Sequence, residues 1–338
     1  MCQSGVCGKG AVLISPRVAA TFALAITLGG ASGAIAGMLS SSGGDDRGAA
    51  VALQHPSARR SRRSVTTIPG VPVWINSAEL KVRVAAVAHG RGALVGVAVR
   101  PLGSTEIVSA GTLQIGPAWS TIKVPIVMAR YRLADERHEA GSTMLDDLAR
   151  RAITESDNAA AAELFVQIET GKGGLAAASS YVGRELTVAG DSKTVVSTTT
   201  FDSQFSTYGQ TQWSLSGGTQ FYRELALNCL PPRRATTRVL ELMAEITSSQ
   251  RWGIGAIAWS HVTSLRFKGG WGPDQDGRYV VRQFGIIESA GRHGLVVGLI
   301  ARPNNGLFQT GIEVLDELAA AVSQSVRISA SPTYAPCK

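Results

Sequence analysis

The chain has 338 residues, of which 44% are hydrophobic and 17% charged, and its formal net charge is +8. This length and apolar content suffice for one large domain or two small ones, and they exclude a disordered chain. Several of the basic residues crowd into an arginine cluster at residues 58–63, which has no interleaved aromatic residues. The cluster therefore indicates a solvated linker, and no nucleic-acid partner is expected.

Near the N-terminus, residues 18–39 form an uncharged, largely apolar stretch that follows Lys9 and Arg17. The stretch is long enough to cross a bilayer, and it also resembles a secretory signal with a candidate cleavage site at residues 34–36. We therefore predict that residues 1–39 are a membrane anchor or a signal segment, and the length of the apolar run favours the anchor. Both interpretations place the following domain outside the cytoplasm, held at the cytoplasmic membrane or secreted.

The four cysteines and five histidines show no spacing typical of a metal site, and we expect neither a metal nor another cofactor. Outside the cytoplasm Cys229 and Cys337 could form a disulfide, but the sequence leaves their distance open.

An ordered domain is predicted from residue 77 onward. Residues 40–76 are rich in Ser, Gly, Arg and Pro and are typical of a flexible linker. Ser77 is placed to cap a helix whose apolar residues recur at helical spacing. Two β-rich runs, 93–100 and 106–110, flank a Pro/Gly turn and predict a hairpin.

The remaining elements predict how the domain is organised. Residues 118–259 are mostly helical in pattern, and three strand-like runs and a last amphipathic helix follow. These elements cover residues 263–270, 279–289, 293–302 and about 310–326. The two ends of the domain, about 77–117 and 260–329, can then share one sheet covered by the terminal helices, and residues 330–338 form a tail. We expect the functional site in the crevice between this sheet and the helical part.

Three short motifs lie at the predicted ends of helices and strands. Ser120 and Lys123 form an S-x-x-K at the start of a helix, where both side chains share one face. Ser156 and Asn158 belong to an S-D-N directly before another helix, and Lys268 begins a K-G-G at the end of a strand. Each motif alone has an ordinary reading as a helix cap, a solvated lysine or a strand exit. Their joint occurrence in this order indicates a common site.

With these motifs and this order of elements, residues 77–329 resemble the penicillin-recognising serine hydrolases, most closely the class A β-lactamases and the penicillin-binding proteins. The resemblance implies an α+β fold with a five-stranded antiparallel sheet flanked by terminal helices and an all-helical subdomain. It also implies an acyl-enzyme mechanism on a β-lactam or a D-Ala-D-Ala-like, peptidoglycan-derived substrate.

The resemblance also implies a role for each motif residue. Ser120 would be the acylated nucleophile and Lys123 its base, and Ser156 would relay a proton to the leaving nitrogen. Asn158 would hold the amide side chain of the substrate, and Lys268 would supply positive potential to the substrate carboxylate. Lysine can act as the base because burial and a second cation lower its pKa.

An acyl transfer also needs donors for the developing oxyanion. The backbone N–H of Ser120 at the helix start is one candidate. The resemblance implies that the second donor is the backbone N–H of Trp271, which follows Gly270 of the third motif.

The sequence departs from the family pattern at two places. Gly269 stands where the family usually has a hydroxyl residue, which removes one hydrogen bond to a substrate carboxylate. The E-x-x-L-N pattern of the deacylating glutamate is missing. Glu185 lies in the right general region and is a candidate for activating water, with an ordinary surface residue as the alternative.

Three further places are candidates near the site. Arg278 and Arg282 could contact a substrate carboxylate, with a merely solvated arginine as the alternative. The segment 205–215 could fill the space of the missing loop, with Gln210 or Thr211 near the cleft.

These features predict an exported serine hydrolase that forms an acyl-enzyme and deacylates slowly. The alternative is a non-catalytic module of the same fold that binds peptidoglycan or a protein partner at the cell envelope.

Overall fold

The computed structural model describes residues 73–139, 141–289 and 293–328. These residues form eight α-helices and nine strands. The strands are β1 (Val73–Ile75), β2 (Ala93–Pro101), β3 (Val108–Gly111), β4 (Ile115–Pro117), β5 (Gln212–Ser214), β6 (Val262–Pro273), β7 (Tyr279–Ser289), β8 (Gly294–Pro303) and β9 (Val326–Ile328). The helices are α1 (Ser77–Arg91), α2 (Lys123–Glu136), α3 (Thr143–Arg150), α4 (Asn158–Lys172), α5 (Leu175–Val188), α6 (Leu215–Ala226), α7 (Arg233–Ala244) and α8 (Phe308–Ser325).

The main sheet joins the two ends of the domain. Its strand order is β3-β2-β8-β7-β6, and every neighbouring pair is antiparallel. Strand β2 pairs with β8 along its full length, from Ala93 opposite Pro303 to Pro101 opposite Leu295. The predicted α+β fold with a five-stranded antiparallel sheet is therefore confirmed.

Successive side chains of a strand point to opposite sides of the sheet, and both faces of this sheet are covered. One face packs against α1 and α8, where Leu80 and Leu318 meet Val97 and Val297 in one apolar cluster. The other face packs against the helical part through residues such as Phe284. Strand β6 ends the sheet order and thus exposes one edge toward the helices.

Helix α2 is the central helix of the helical part. All of its residues from Lys123 to Ala134 are buried. It is surrounded by α4, α5 and α7. A helix that is buried all round is held in place by its neighbours, so its N-terminus is a rigid platform for a functional group.

The predicted elements and the observed ones differ in their short members. Helix α1 begins at Ser77, but its cap is Asn76, whose side chain accepts the Glu79 N–H at 3.1 Å. The small pairs β1–β9 and β4–β5 were not predicted, because strands of three residues carry no readable periodicity. Since β1 pairs with β9, the ordered domain begins before residue 77, inside the segment predicted as a linker.

Residues 1–72 and 329–338, with the predicted anchor or signal, most of the linker and the tail, lie outside the described residues. Within the described part of the chain, no helix is both long and apolar enough to cross a membrane. Cys229 is disulfide-bonded, and the other three cysteines of the chain lie outside the described residues.

Candidate active site

A cavity of about 320 Å³ lies where the N-termini of α2 and α4 meet the edge strand β6. Five of the residues predicted for the site line it: Ser120, Lys123, Ser156, Asn158 and Trp271. The sheet supplies one wall and the helical part the other.

Ser120 lies in a short 3₁₀ helix, Trp119–Ile122, between β4 and α2. Its backbone N–H belongs to the first turn of that helix and has no intrahelical acceptor. Trp119 has a φ of 47°, a left-handed conformation that costs a non-glycine residue about 1–3 kcal/mol. The Trp119 ring covers Gly272, where an added Cβ would come within 2.6 Å of the ring. Packing thus holds the strained residue that sets the direction of Ser120.

The amine of Lys123 is buried and has defined hydrogen-bond partners. Its Nζ donates to the Ser156 carbonyl oxygen at 2.5 Å and to Asn158 Oδ1 at 2.7 Å. Burial lowers the pKa of Lys123 to about 7, although the nearby Asp157 opposes the shift. A neutral amine has two N–H donors and one lone pair. These two short bonds match the two donors of a neutral amine, and a third, longer contact of Nζ reaches Ser156 Oγ at 3.4 Å.

A second amine lies on the other side of Ser156. Lys268 on β6 is fully buried, and its Nζ donates to Ser156 Oγ at 2.8 Å and to the Gly269 carbonyl at 3.0 Å. Burial and then the charge of Lys123 lower the pKa of Lys268 well below its usual range. The Ser156 hydroxyl is also 3.4 Å from Lys123 Nζ. It therefore connects the two amines.

The S-D-N motif has a structural as well as a chemical part. Ser156 adopts a left-handed conformation with a φ of 57°. Asp157 caps α4 by accepting the N–H groups of Ala159 and Ala160 at 2.7 and 3.1 Å, and it pairs with Arg151 at 2.7 Å. The cap fixes the start of α4, so Ser156 and Asn158 are presented to the cavity on either side of it.

Gly270 is the point where β6 contacts the segment that carries Ser120. A Cβ at this position would lie 2.8 Å from the Ser120 nitrogen and 2.9 Å from the Ala118 oxygen and the Thr121 nitrogen. Trp271, whose N–H is the predicted second oxyanion donor, is the next residue and lines the cavity. The close approach of the two backbones at Gly270 thus sets the separation between strand β6 and Ser120.

We expect Gly270→Ala to damage the site, because the contacted atoms are backbone atoms that cannot move independently. Overpacking of this kind costs about 1–3 kcal/mol of stability, and the displaced Ser120 should acylate at least tenfold more slowly. Thermal unfolding and the acylation rate with a penicillin measure the two effects.

Gly183→Ala is the matched control for this variant. Gly183 lies in α5, where the nearest atom to an added Cβ, on Val196, is 3.9 Å away. Alanine in a helix interior is favoured over glycine, so the control should be neutral or stabilising. Equal effects of the two substitutions would contradict the role assigned to Gly270.

Glu185 does not reach the cavity. Its side chain is fully buried and forms a bidentate pair with Arg132, at 2.5 and 2.8 Å. Burial raises the pKa of Glu185, and the Arg132 pairing opposes that shift. The alternative of a surface residue is therefore wrong, because Glu185 belongs to an internal ion pair of the helical part. It is not among the residues that line the cavity.

The two candidate arginines also point elsewhere. Arg282 on β7 is fully buried, and its Nη1 donates to the carbonyls of Gly116, Pro117 and Trp213. It holds the β4–β5 ribbon that leads to Ser120. Arg278 is half-buried and pairs with Asp276 at 2.6 Å. Neither arginine is among the residues that line the cavity.

The cavity also contains residues that the sequence did not identify. Trp119, Gln204 and Tyr279 line it. The segment 205–215 was predicted to approach the cleft, and its residues 205, 206, 208 and 209 line the cavity. Gln210 and Thr211, in contrast, are buried behind it.

Gln210 shapes the loop from within. Its side-chain oxygen accepts the N–H groups of Phe201 and Asp202, and its nitrogen donates to Thr200 Oγ1 and to the Asp202 carbonyl. Thr211 Oγ1 accepts the Ser197 N–H at 3.0 Å. Side-chain bonds of this kind to the backbone replace secondary structure in the loop.

Comparison with solved structures places the fold among known ones. No protein-family model and no curated protein sequence matches the chain. A β-lactamase from Burkholderia vietnamiensis aligns with a TM-score of 0.58 and 18% identity over 72% of this chain and 95% of that one. A β-lactamase from Sphaerobacter thermophilus aligns with a TM-score of 0.57 and 17% identity, over 73% of this chain and 96% of that one.

A class A β-lactamase from Bacteroides cellulosilyticus gives a TM-score of 0.60 and 15% identity, over 74% of this chain and 97% of that one. Nearly the whole length of each of these enzymes is matched, so the likeness concerns the complete domain. The resemblance inferred from the three motifs is confirmed at the level of the fold, and the chain has the fold of the class A β-lactamases.

Proposed function

We propose that this protein is a serine hydrolase that is acylated at Ser120 by a β-lactam or a related amide and releases the acyl group slowly. The observation that carries the proposal is the buried Lys123 amine. Ser156 and Asn158 hold this amine in place, and burial lowers its pKa to about 7. A lysine in this state is a general base at neutral pH.

In the proposed acylation, each group of the site has one role. The Ser120 hydroxyl loses its proton to Lys123 Nζ as Oγ bonds to the carbonyl carbon, and the backbone N–H groups of Ser120 and Trp271 stabilise the oxyanion. The carbon–nitrogen bond breaks, and the leaving nitrogen takes the Ser156 Oγ proton. Ser156 is reprotonated from Lys123, which is 3.4 Å away, while Lys268 at 2.8 Å keeps the hydroxyl in place.

A non-catalytic binding module of the same fold is the second candidate. Two observations favour it. Within the described residues Ser120 Oγ has no hydrogen bond to Lys123, and no Asp or Glu is among the residues that line the cavity. Such a module would bind a peptidoglycan fragment or a protein partner without reacting with it.

The cellular setting belongs to the proposal as well. The apolar stretch 18–39 supports a domain outside the cytoplasm, anchored to the membrane or secreted, where peptidoglycan-derived substrates occur.

Intact-mass analysis after incubation with a penicillin separates the two candidates. We expect a mass increase equal to the whole penicillin, because the leaving nitrogen stays in the opened ring, and peptide mapping should place it on Ser120. Ser120→Ala should abolish the adduct, and Ser180→Ala, which changes an exposed serine of α5 outside the cavity, should not. An adduct at another residue would contradict the assignment of the nucleophile, and no adduct at all would favour the binding module.

A further inference from the structure

The cavity beside Ser120 has little positive charge to offer a ligand. Among the described residues that line it, Lys123 is the only Lys, Arg, Asp or Glu. Its amine is the base of the proposed reaction, and a carboxylate bound next to it would favour its protonated form and disable it. Lys268 is fully buried behind Ser156, and both Ser156 Oγ and the Gly269 carbonyl already accept its hydrogen bonds.

The two arginines near the sheet edge do not supply the missing positive charge for a ligand carboxylate. Arg282 faces the carbonyls of the β4–β5 ribbon and is fully buried there. Arg278 is paired with Asp276 on the surface. A bidentate arginine contact, the strongest way to hold a carboxylate, is therefore not offered by either residue.

The absence of a hydroxyl residue at position 269 has a steric cause. A Cβ at Gly269 would lie 2.5 Å from the Trp252 ring, which is itself buried. Trp252 packs edge-on against Trp271, with ring centroids 6.1 Å apart. The space that a threonine or serine side chain would need at this place in β6 is filled by an aromatic ring.

The mouth of the cavity is instead aromatic. Phe201 and Phe205 are large apolar residues with 36% and 37% of their surface exposed, and both rings lie edge-on to Trp119, at centroid distances of 6.3 and 5.2 Å. Trp119 and Phe205 line the cavity with Ser120. An apolar or aromatic group of a ligand would cover these partly exposed rings.

We propose that the site prefers uncharged esters or amides with an aromatic acyl group, and that it does not require the substrate carboxylate. This inference rests on the proposed acylation of Ser120. In the reaction, Ser120 Oγ bonds to the acyl carbon, the carbon–oxygen or carbon–nitrogen bond to the leaving group breaks, and the Ser120 proton passes through Lys123 to the leaving group or to solvent. Water then releases the acid, so the overall reaction is a hydrolysis.

A matched pair of substrates tests the charge preference. Benzylpenicillin and its methyl ester differ only in the carboxylate, and each rate of Ser120 acylation is divided by the rate of the same compound with hydroxide. We expect the normalised rate of the ester to equal or exceed that of the acid. A faster acid would overturn the inference and leave the proposed function standing. If neither compound nor any activated ester labels Ser120, both the inference and the proposed function fail.

A second pair tests the aromatic wall. p-Nitrophenyl phenylacetate should acylate Ser120 faster than p-nitrophenyl acetate, and Phe205→Ala should reduce this preference about tenfold. Met144→Ala is the control, because Met144 is a large exposed apolar residue on α3 outside the cavity. An unchanged preference in Phe205→Ala would overturn the assignment of the wall, and a change in Met144→Ala would show that the effect is unspecific.

Discussion

Replacing Lys123 with methionine is expected to slow acylation of Ser120 by about 10²- to 10⁴-fold, the usual contribution of a positioned general base. The wild-type protein should acylate faster as the pH rises through 7, because the pKa of Lys123 is about 7 and only the neutral amine accepts the Ser120 proton. One pH unit below that pKa only about a tenth of the molecules have a neutral amine, which predicts an acylation rate about tenfold below the plateau. Stopped-flow or quenched mass measurements with a penicillin give both numbers.

The same substitution, although it slows acylation, should raise the free energy of unfolding near neutral pH. Burial lowers the pKa of Lys123 from 10.5 to about 7, so between these values the unfolded chain holds a proton that the folded protein has released. The free energy of unfolding therefore rises with pH in that window, by up to about 1.4 kcal/mol per pH unit for this group, and it is reduced below pH 7. Lys123→Met removes this dependence and should be more stable than the wild type near neutral pH.

Lys81→Met is the control, since Lys81 is an exposed residue of α1 and is not among the residues that line the cavity. It should change neither the acylation rate nor the pH dependence of stability. A Lys123→Met variant that acylates at the wild-type rate would show that another group takes the proton. Loss of stability in that variant would show that the amine is a net stabilising group.

The sequence predicts the central elements well because their signals are long. The largely apolar run that begins at Tyr279 is strand β7, and the predicted strand 263–270 lies within β6. Lys268 is inside β6 and not at its end, because the strand continues to Pro273. The S-x-x-K and S-D-N motifs could be assigned to helix starts for the same reason, because α2 and α4 follow them directly. The meeting of Ser156 with Lys268, 112 positions along the chain, depends on the fold and was implied only by the family resemblance.

The rest could not be predicted because its causes lie in tertiary packing. Glu185 is internal only because Arg132 meets it from α2, and no sequence spacing reveals that pair. The absence of a hydroxyl at Gly269 is visible in the sequence, but its cause, the Trp252 ring, is not. The strained φ of Trp119 is likewise invisible, since tryptophan rarely adopts it without support from its surroundings.

A penicillin adduct on Ser120 is expected to persist for minutes or longer. Deacylation needs a base for the attacking water, and such a base typically contributes about 10² to 10⁴ in rate. No carboxylate lines the cavity within the described residues. Asp157, the nearest acid in the motifs, is occupied by Arg151 and by the first N–H groups of α4. The decay of the adduct after removal of free penicillin, followed by intact mass, measures the lifetime.

Glu185→Gln separates this explanation from a hidden catalytic glutamate. Because Glu185 is fully buried against Arg132, its neutralisation leaves an unpaired buried charge and should cost about 3–5 kcal/mol of stability. The lifetime of the adduct, measured at a temperature where the variant remains folded, should nevertheless match that of the wild type. Rapid turnover in the wild type that disappears in Glu185→Gln would mean that this carboxylate reaches the acyl group during the reaction. Slow decay in both proteins would instead locate the deficit in the cavity itself, where no carboxylate is among the described residues that line it and Lys123 supplies the amine.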